Sequence, residues 1–72
     1  MSQIVDARGL SCPQPVLMTL EEMKRSGKGE IHVLVDTDTS KENVSRAAVS
    51  QGWQVLSLQE EGDTYRIVVR KE

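Results

Sequence analysis

The sequence predicts an α/β two-layer sandwich of the α+β type, with the element order βαβαββ. Four short stretches hold apolar, largely β-branched residues and are typical of strands. Two longer segments carry apolar residues at helical spacing, and glycine or proline marks most segment ends. With 72 residues, the chain can build only a small core, so we expect one domain over residues 1–72.

The first strand is predicted over Gln3 to Ala7, followed by a loop from Arg8 to Ser11. The first helix is predicted from Pro13 to Ser26. Cations near its carboxyl end suit the helix dipole, and Gly27 is a natural residue to follow it. The predicted core stripe of this helix consists of Val16, Leu17, Leu20 and Met23.

The second strand is predicted over Glu30 to Asp36, with Ile31, Val33 and Val35 on the core face. His32 falls on the opposite face, where we expect a solvated side chain. Thr39 to Glu42 matches a capping box, so the second helix is predicted from Ser40 to Gln51, ending at Gly52. Its predicted inner face consists of Val44, Ala47 and Ala48.

The third strand is predicted over Trp53 to Gln59 and the fourth over Tyr65 to Arg70, joined by a hairpin turn at 61–63. Because βαβ crossovers are right-handed, both helices should cover the same face of one mixed four-stranded sheet. The open face is expected to carry His32, Leu34, Leu56, Leu58 and Val68 among polar residues. This face is apolar enough to serve as a partner surface.

The only cysteine of the chain, Cys12, stands directly before a Pro-Gln-Pro segment. Pro13 suits the first helical position, which makes Cys12 the N-cap. Pro15 has no N–H, so the amides of Gln14 and Val16 remain to solvate the sulfur. A helix N-terminus lowers the pKa of a thiol, and we therefore expect an exposed, reactive thiolate. A lone cysteine is more often a small buried apolar residue, and that alternative stays open.

Both helix N-termini should open at the sheet edge where the first two strands end, which is where open α/β sheets bind ligands. Cys12 should face the loop of residues 36–39. Lys41 and Arg46 could reach toward the sulfur, although a solvated helix face is the commoner place for such charges. Whether Arg8 assists Cys12 is open as well.

Composition narrows the possible partners. The net charge of −2 and only two aromatic residues, Trp53 and Tyr65, argue against direct nucleic-acid binding. No apolar run approaches the length of a membrane span, and no signal-peptide pattern is present. The single histidine and single cysteine offer no metal-ligand spacing and no Cys-His pair, so we predict no metal site. Cysteine usage suits a reducing compartment.

The segment Asp6-Ala7-Arg8-Gly9-Leu10-Ser11-Cys12-Pro13-Gln14-Pro15 resembles the signature of the TusA/SirA-like sulfur-carrier family, whose hallmark is Cys-Pro-x-Pro at a helix start. Residues 36–53 look most similar to the N-terminal domain of YedF-type members. The resemblance implies the βαβαββ fold, a cytoplasmic protein without a cofactor, and a persulfide on Cys12. It gives Pro13, Gln14 and Pro15 a positioning role.

The resemblance also implies protein partners on both sides of a sulfur relay. The donor would be a cysteine desulfurase or a rhodanese-type protein. The acceptor would act in tRNA thiolation, cofactor maturation, or sulfur or selenium metabolism. We expect a carrier, as a monomer or weak dimer, rather than a turnover enzyme. The alternative is a regulatory protein-binding module that uses the open sheet face, with Cys12 incidental.

Overall fold

A computed structural model describes residues 2–10 and 14–72 of the chain. Two helices and a mixed four-stranded sheet follow one another in the predicted order, which confirms the predicted fold class. Neither helix in these two ranges is long and apolar enough to cross a membrane. The elements are β1 (Ser2–Asp6), α1 (Gln14–Ser26), β2 (Gly29–Val35), α2 (Asp38–Ser50), β3 (Gln54–Glu61) and β4 (Thr64–Lys71).

The strands lie in the order β1-β2-β4-β3, so β2 is an interior strand. It pairs in parallel with β1 and antiparallel with β4, placing Val33 between Val5 and Ile67. Alternation along β2 buries Ile31, Val33 and Val35 completely, as predicted. Burying each of these side chains stabilises the fold by about 1.5 to 3 kcal/mol relative to leaving it exposed.

The core-facing side of helix α1 agrees with the prediction at Met23, which is buried, and differs from it at Leu17. Its buried residues are Pro15, Thr19 and Met23, whereas Leu17 is 48% exposed. The prediction that Leu17 lies in the core is therefore wrong. The Thr19 hydroxyl donates to the Pro15 carbonyl oxygen at 2.8 Å, so this polar side chain can be buried without an unsatisfied group. Val16 and Leu20 pack against the core only in part.

Helix α2 begins two residues earlier than predicted. Thr37, not Thr39, is the N-cap, and its hydroxyl oxygen accepts from the Ser40 N–H at 3.1 Å. The helix buries Ser40, Val44 and Ala48, the last two as predicted. This inner face contacts α1 and the sheet.

The carboxyl end of α2 has the two reversed hydrogen bonds of a Schellman motif. The Gly52 N–H donates to Val49 O at 3.0 Å, and the Trp53 N–H donates to Ala48 O at 2.9 Å. Gly52 has a φ of +84°, which other residues adopt only with strain. The motif returns the chain to the sheet with Trp53 buried.

A bulge in β3 changes which face its apolar residues share. Val55 lies opposite Val69 and Ser57 opposite Val68, so Leu56 is the extra residue between them. Leu58 then lies opposite Ile67, and paired residues share a face of the sheet. The prediction that Leu58 lies on the open face is therefore wrong: it lies on the helix-bearing face and is 45% exposed there.

Candidate functional site

The loop that leads to Cys12 is held to β2 and the residue after it by hydrogen bonds from two of its backbone N–H groups. The Ala7 N–H donates to Leu34 O at 2.8 Å, which extends the β1-β2 ladder by one residue. The Gly9 N–H donates to Asp36 Oδ2 at 2.8 Å, across 27 residues of sequence. Gly9 has a φ of +77°, a conformation that favours glycine. The chain therefore leaves the sheet in a fixed direction.

Arg8 is engaged by its neighbour Asp6. Its Nε and Nη2 donate to the two carboxylate oxygens of Asp6 at 2.9 and 2.8 Å, and the Arg8 N–H donates to Asp6 Oδ1 at 3.2 Å. These hydrogen bonds lower the pKa of Asp6 to about 2 and raise the pKa of Arg8. The Arg8 side chain, considered above as a helper of Cys12, is thus occupied in closing this turn.

Cys12 and Pro13 lie outside the described residues, so their predicted roles as nucleophile and positioning residue stay predictions. Of the other two predicted positioning residues, Gln14 is the exposed first residue of α1. Pro15 is fully buried. The segment that contains Cys12 is therefore flanked by the Gly9–Asp36 hydrogen bond on one side and a core residue on the other.

The Gly9–Asp36 hydrogen bond brings the loops after β1 and β2 together, as the parallel arrangement of these strands predicts. Lys41 Nζ lies 3.1 Å from Asp38 Oδ1 and 4.7 Å from the centroid of the Tyr65 ring. The hydrogen bond between Asp38 and Lys41 lowers the pKa of Asp38 and raises that of Lys41. A hydrogen bond to Asp38 also raises the pKa of Tyr65. Lys41 is thus paired within its own helix turn.

Arg46, the other cation considered for Cys12, forms an exposed i,i+4 pair with Glu42 at 2.8 Å. Such surface pairs contribute little to stability. Arg46 therefore lies on a solvent-exposed face of α2. Asp6 and Asp36, whose carboxylates fix the backbone before Cys12, were not singled out by the sequence, because both partnerships depend on the folded loop.

Comparison with known proteins identifies the family. The family model described as Sulfurtransferase TusA matches residues 3–71. The chain belongs to the TusA family. This finding confirms the resemblance drawn from the Cys-Pro-x-Pro segment, and it covers every element of the fold from β1 to β4.

Individual members of the TusA family agree with this assignment. The chain is 38% identical over 68 residues to the candidate sulfur carrier protein YedF of Escherichia coli strain K12, covering 93% of this chain and 88% of the relative. It is 33% identical over 69 residues to the sulfur carrier protein TusA of Pseudomonas entomophila strain L48, covering 94% and 86%. The crystal structure of a SirA-like protein from Desulfitobacterium hafniense superposes with a TM-score of 0.86 at 29% identity, covering 97% and 96%.

On the open sheet face of this TusA-family chain, His32 is partnered rather than simply solvated. Its Nε2 lies 2.7 Å from Glu30 Oε2, and its Nδ1 lies 3.2 Å from Arg66 Nη1. A guanidinium can only donate, so Nδ1 accepts and Nε2 carries the hydrogen that is donated to Glu30. Arg66 also contacts Glu61 at 3.4 Å. His32 therefore lies on the open face as predicted, but its side chain is only 22% exposed and hydrogen-bonded rather than simply solvated, and the cluster connects β2, β3 and β4.

Proposed function

We propose that this chain is a sulfur carrier that accepts a sulfane sulfur on Cys12 and passes it to an acceptor protein. The observation that carries the proposal is the family match over residues 3–71, together with relatives that are named as sulfur carrier proteins. Cys12 is the only thiol in the sequence. The chain thus has a single candidate for the sulfur-bearing group.

The chemistry is an exchange between sulfur atoms. The Cys12 thiolate attacks the terminal sulfur of a persulfide on the donor, a new S–S bond forms, and the donor cysteine leaves as a thiolate. Delivery to the acceptor repeats the step in the other direction, with Cys12 as the leaving thiolate. No external oxidant or reductant is needed for either step. The lack of a second cysteine in the sequence prevents an internal disulfide from discharging the persulfide.

The partners we propose are a cysteine desulfurase or rhodanese-type donor and a downstream acceptor protein, both cytoplasmic. The exposed loop at residues 8–10 suits contact with two proteins in turn. The anchors at Asp36 and Pro15 would hold the ends of the Cys12 segment while the partners change. In this proposal Pro13, Gln14 and Pro15 position the sulfur and take no part in bond making.

The test is an intact-mass measurement after incubation with a cysteine desulfurase and cysteine. We expect a gain of one sulfur atom, removed by a reductant and absent from Cys12→Ser, whose circular dichroism spectrum should match that of the unmodified protein. Loading that survives in Cys12→Ser would contradict the proposal. No loading from either a desulfurase or a rhodanese would favour a binding module that uses the open sheet face, where Ile4 is 66% exposed.

A further inference from the structure

We propose that Asp36 is a positioning residue for Cys12, acting through the Gly9 amide. The inference rests on the proposed function for the reaction that is positioned, and on one contact for its geometry. Asp36 Oδ2 accepts from the Gly9 N–H at 2.8 Å, although the two residues lie 27 positions apart. A hydrogen bond from a backbone N–H to a carboxylate is charge-assisted and stronger than its neutral equivalent.

Asp36 is well placed to act as a fixed point. It directly follows Val35, the last residue of β2, whose side chain is completely buried. Strand β2 is hydrogen-bonded on both sides, to β1 and to β4. The carboxylate is therefore attached to a well-anchored part of the fold, while Gly9 belongs to an exposed turn.

The distance along the chain makes the anchor effective. Three Cα-to-Cα steps join Gly9 to Cys12, and a fully extended chain spans at most about 3.6 Å per step. Fixing Gly9 therefore confines Cys12 to within about 11 Å of that point. Pro15, buried in the core, restrains the same segment from the other end. Among the described residues, the Ala7–Leu34 hydrogen bond, the turn closed by Asp6 and Arg8, and buried Pro15 would remain as restraints without the Asp36 contact.

The role of the hydrogen-bond acceptor can be separated from that of the charge by substitution at one position. Asp36→Asn keeps an acceptor oxygen and removes the charge. Asp36→Glu keeps the charge and displaces the acceptor by one methylene group. Asp36→Ala removes both. Asp38→Ala is the matched control, because Asp38 is a carboxylate two residues away that pairs with Lys41.

The first measurement is sulfur loading from a cysteine desulfurase with cysteine as substrate, followed over a range of carrier concentrations to separate kcat from KM. Misplacing a reacting group by about 1 Å can cost 100-fold in rate. For a segment that still samples its native position, we expect Asp36→Ala to lower kcat by about ten-fold. Asp38→Ala should stay within about two-fold of the unmodified protein. Asp36→Asn keeps a weaker, neutral hydrogen bond, so its kcat should lie closer to that of the unmodified protein than to that of Asp36→Ala, and the kcat of Asp36→Glu should lie between those of Asp36→Asn and Asp36→Ala.

The second measurement is the rate of Cys12 alkylation by iodoacetamide as a function of pH, which requires no partner protein. If Asp36 holds Cys12 where helix donors stabilise the thiolate, Asp36→Ala shifts the alkylation profile to higher pH and Asp36→Asn shifts it much less. If Asp36 acts only through its charge, removing that charge shifts both variants to lower pH. The two mechanisms therefore predict opposite signs.

An unchanged kcat and alkylation profile in Asp36→Ala would overturn the inference. Equal effects of Asp36→Ala and Asp36→Asn would also overturn it, because the acceptor would then be irrelevant. An unmodified protein that takes up no sulfur refutes the proposed function alone, since the alkylation profiles still decide the role of Asp36. Circular dichroism of each variant separates loss of positioning from loss of fold.

Discussion

Replacing Pro15 with alanine tests whether this motif residue acts through the core or at the sulfur. The Pro15 side chain is fully buried at the second position of α1, four residues before the buried Thr19. Alanine would remove two ring carbons, which costs about 1.6 kcal/mol at about 0.8 kcal/mol per buried CH₂. The greater freedom of the unfolded chain adds about 0.4 to 1 kcal/mol. The expected loss in the free energy of unfolding is therefore about 2 to 2.6 kcal/mol.

Urea denaturation followed by circular dichroism at the helix band measures this loss. For a domain of this size the slope is about 1 kcal/mol per M urea, so the midpoint of Pro15→Ala should fall by about 2 M. Gln14→Ala is the control, because Gln14 is exposed and a surface change is usually within about 0.5 kcal/mol. Because Pro15 is the second anchor proposed for the Cys12 segment, sulfur loading of the folded Pro15→Ala protein should fall by up to about ten-fold, as expected for Asp36→Ala.

The reverse pattern would refute this reasoning. A midpoint that moves by less than about 0.5 M, together with a loss of loading of about ten-fold or more, would mean that Pro15 acts on the reacting sulfur rather than through core packing. The free energy of unfolding expected for a domain of this length is about 4 to 11 kcal/mol. The variant should thus remain folded, and both measurements should be possible on the same sample.

Three further predictions concern α2 and the turn before Cys12. Val44→Ala should lower the free energy of unfolding by about 1 to 2 kcal/mol, because Val44 is fully buried. Val49→Ala, on the exposed side of the same helix, should raise the free energy of unfolding by up to about 0.5 kcal/mol, because alanine has the higher helix propensity. Urea denaturation of the two variants measures both changes. Gly52→Ala should lower the free energy of unfolding by about 1 to 2 kcal/mol, because alanine adopts a positive φ only with strain. The added Cβ would lie 3.8 Å from the nearest Lys71 atom, so no steric clash contributes. An unchanged free energy of unfolding would contradict this prediction. Arg8→Gln should return the pKa of Asp6 from about 2 towards 3.8, as measured by carboxyl-carbon NMR titration. In the unmodified protein the Asp6–Arg8 pair stabilises the fold above the ordinary pKa of the carboxyl group, and this stabilisation is lost as the pH falls through about 2. Arg8→Gln should remove this pH dependence.

Patterns over a few consecutive residues were sufficient to predict the buried face of β2 and the end of α2. Alternation along β2 identified Ile31, Val33 and Val35 as core residues, because a strand has a side-chain period of two. Gly52 marked the end of α2, because the residue after a helix commonly adopts a positive φ. The family could be identified from the segment around Cys12, where chemistry depends on consecutive residues rather than on packing.

Sequence patterns were insufficient where two neighbouring residues fitted the same structural role equally well. In α1, stripes through Leu17 and through Thr19 both have helical spacing, and only packing against α2 and the sheet selects the face. Thr37 and Thr39 can both cap a helix, and the choice depends on where β2 ends. The bulge at Leu56 follows from pairing with β4, which no local pattern in β3 reveals.

The sequence by itself determined the order of the elements, the alternation of the interior strand, the position of the single thiol and the family. The tertiary structure decided the rotation of α1, the true cap of α2, the face occupied by Leu58, and the Gly9–Asp36 hydrogen bond that holds the loop before Cys12. The physical reason is the range of the interactions. Propensity, periodicity and capping act within a few residues, whereas the Gly9–Asp36 contact and the strand pairings join parts of the chain that meet only after folding.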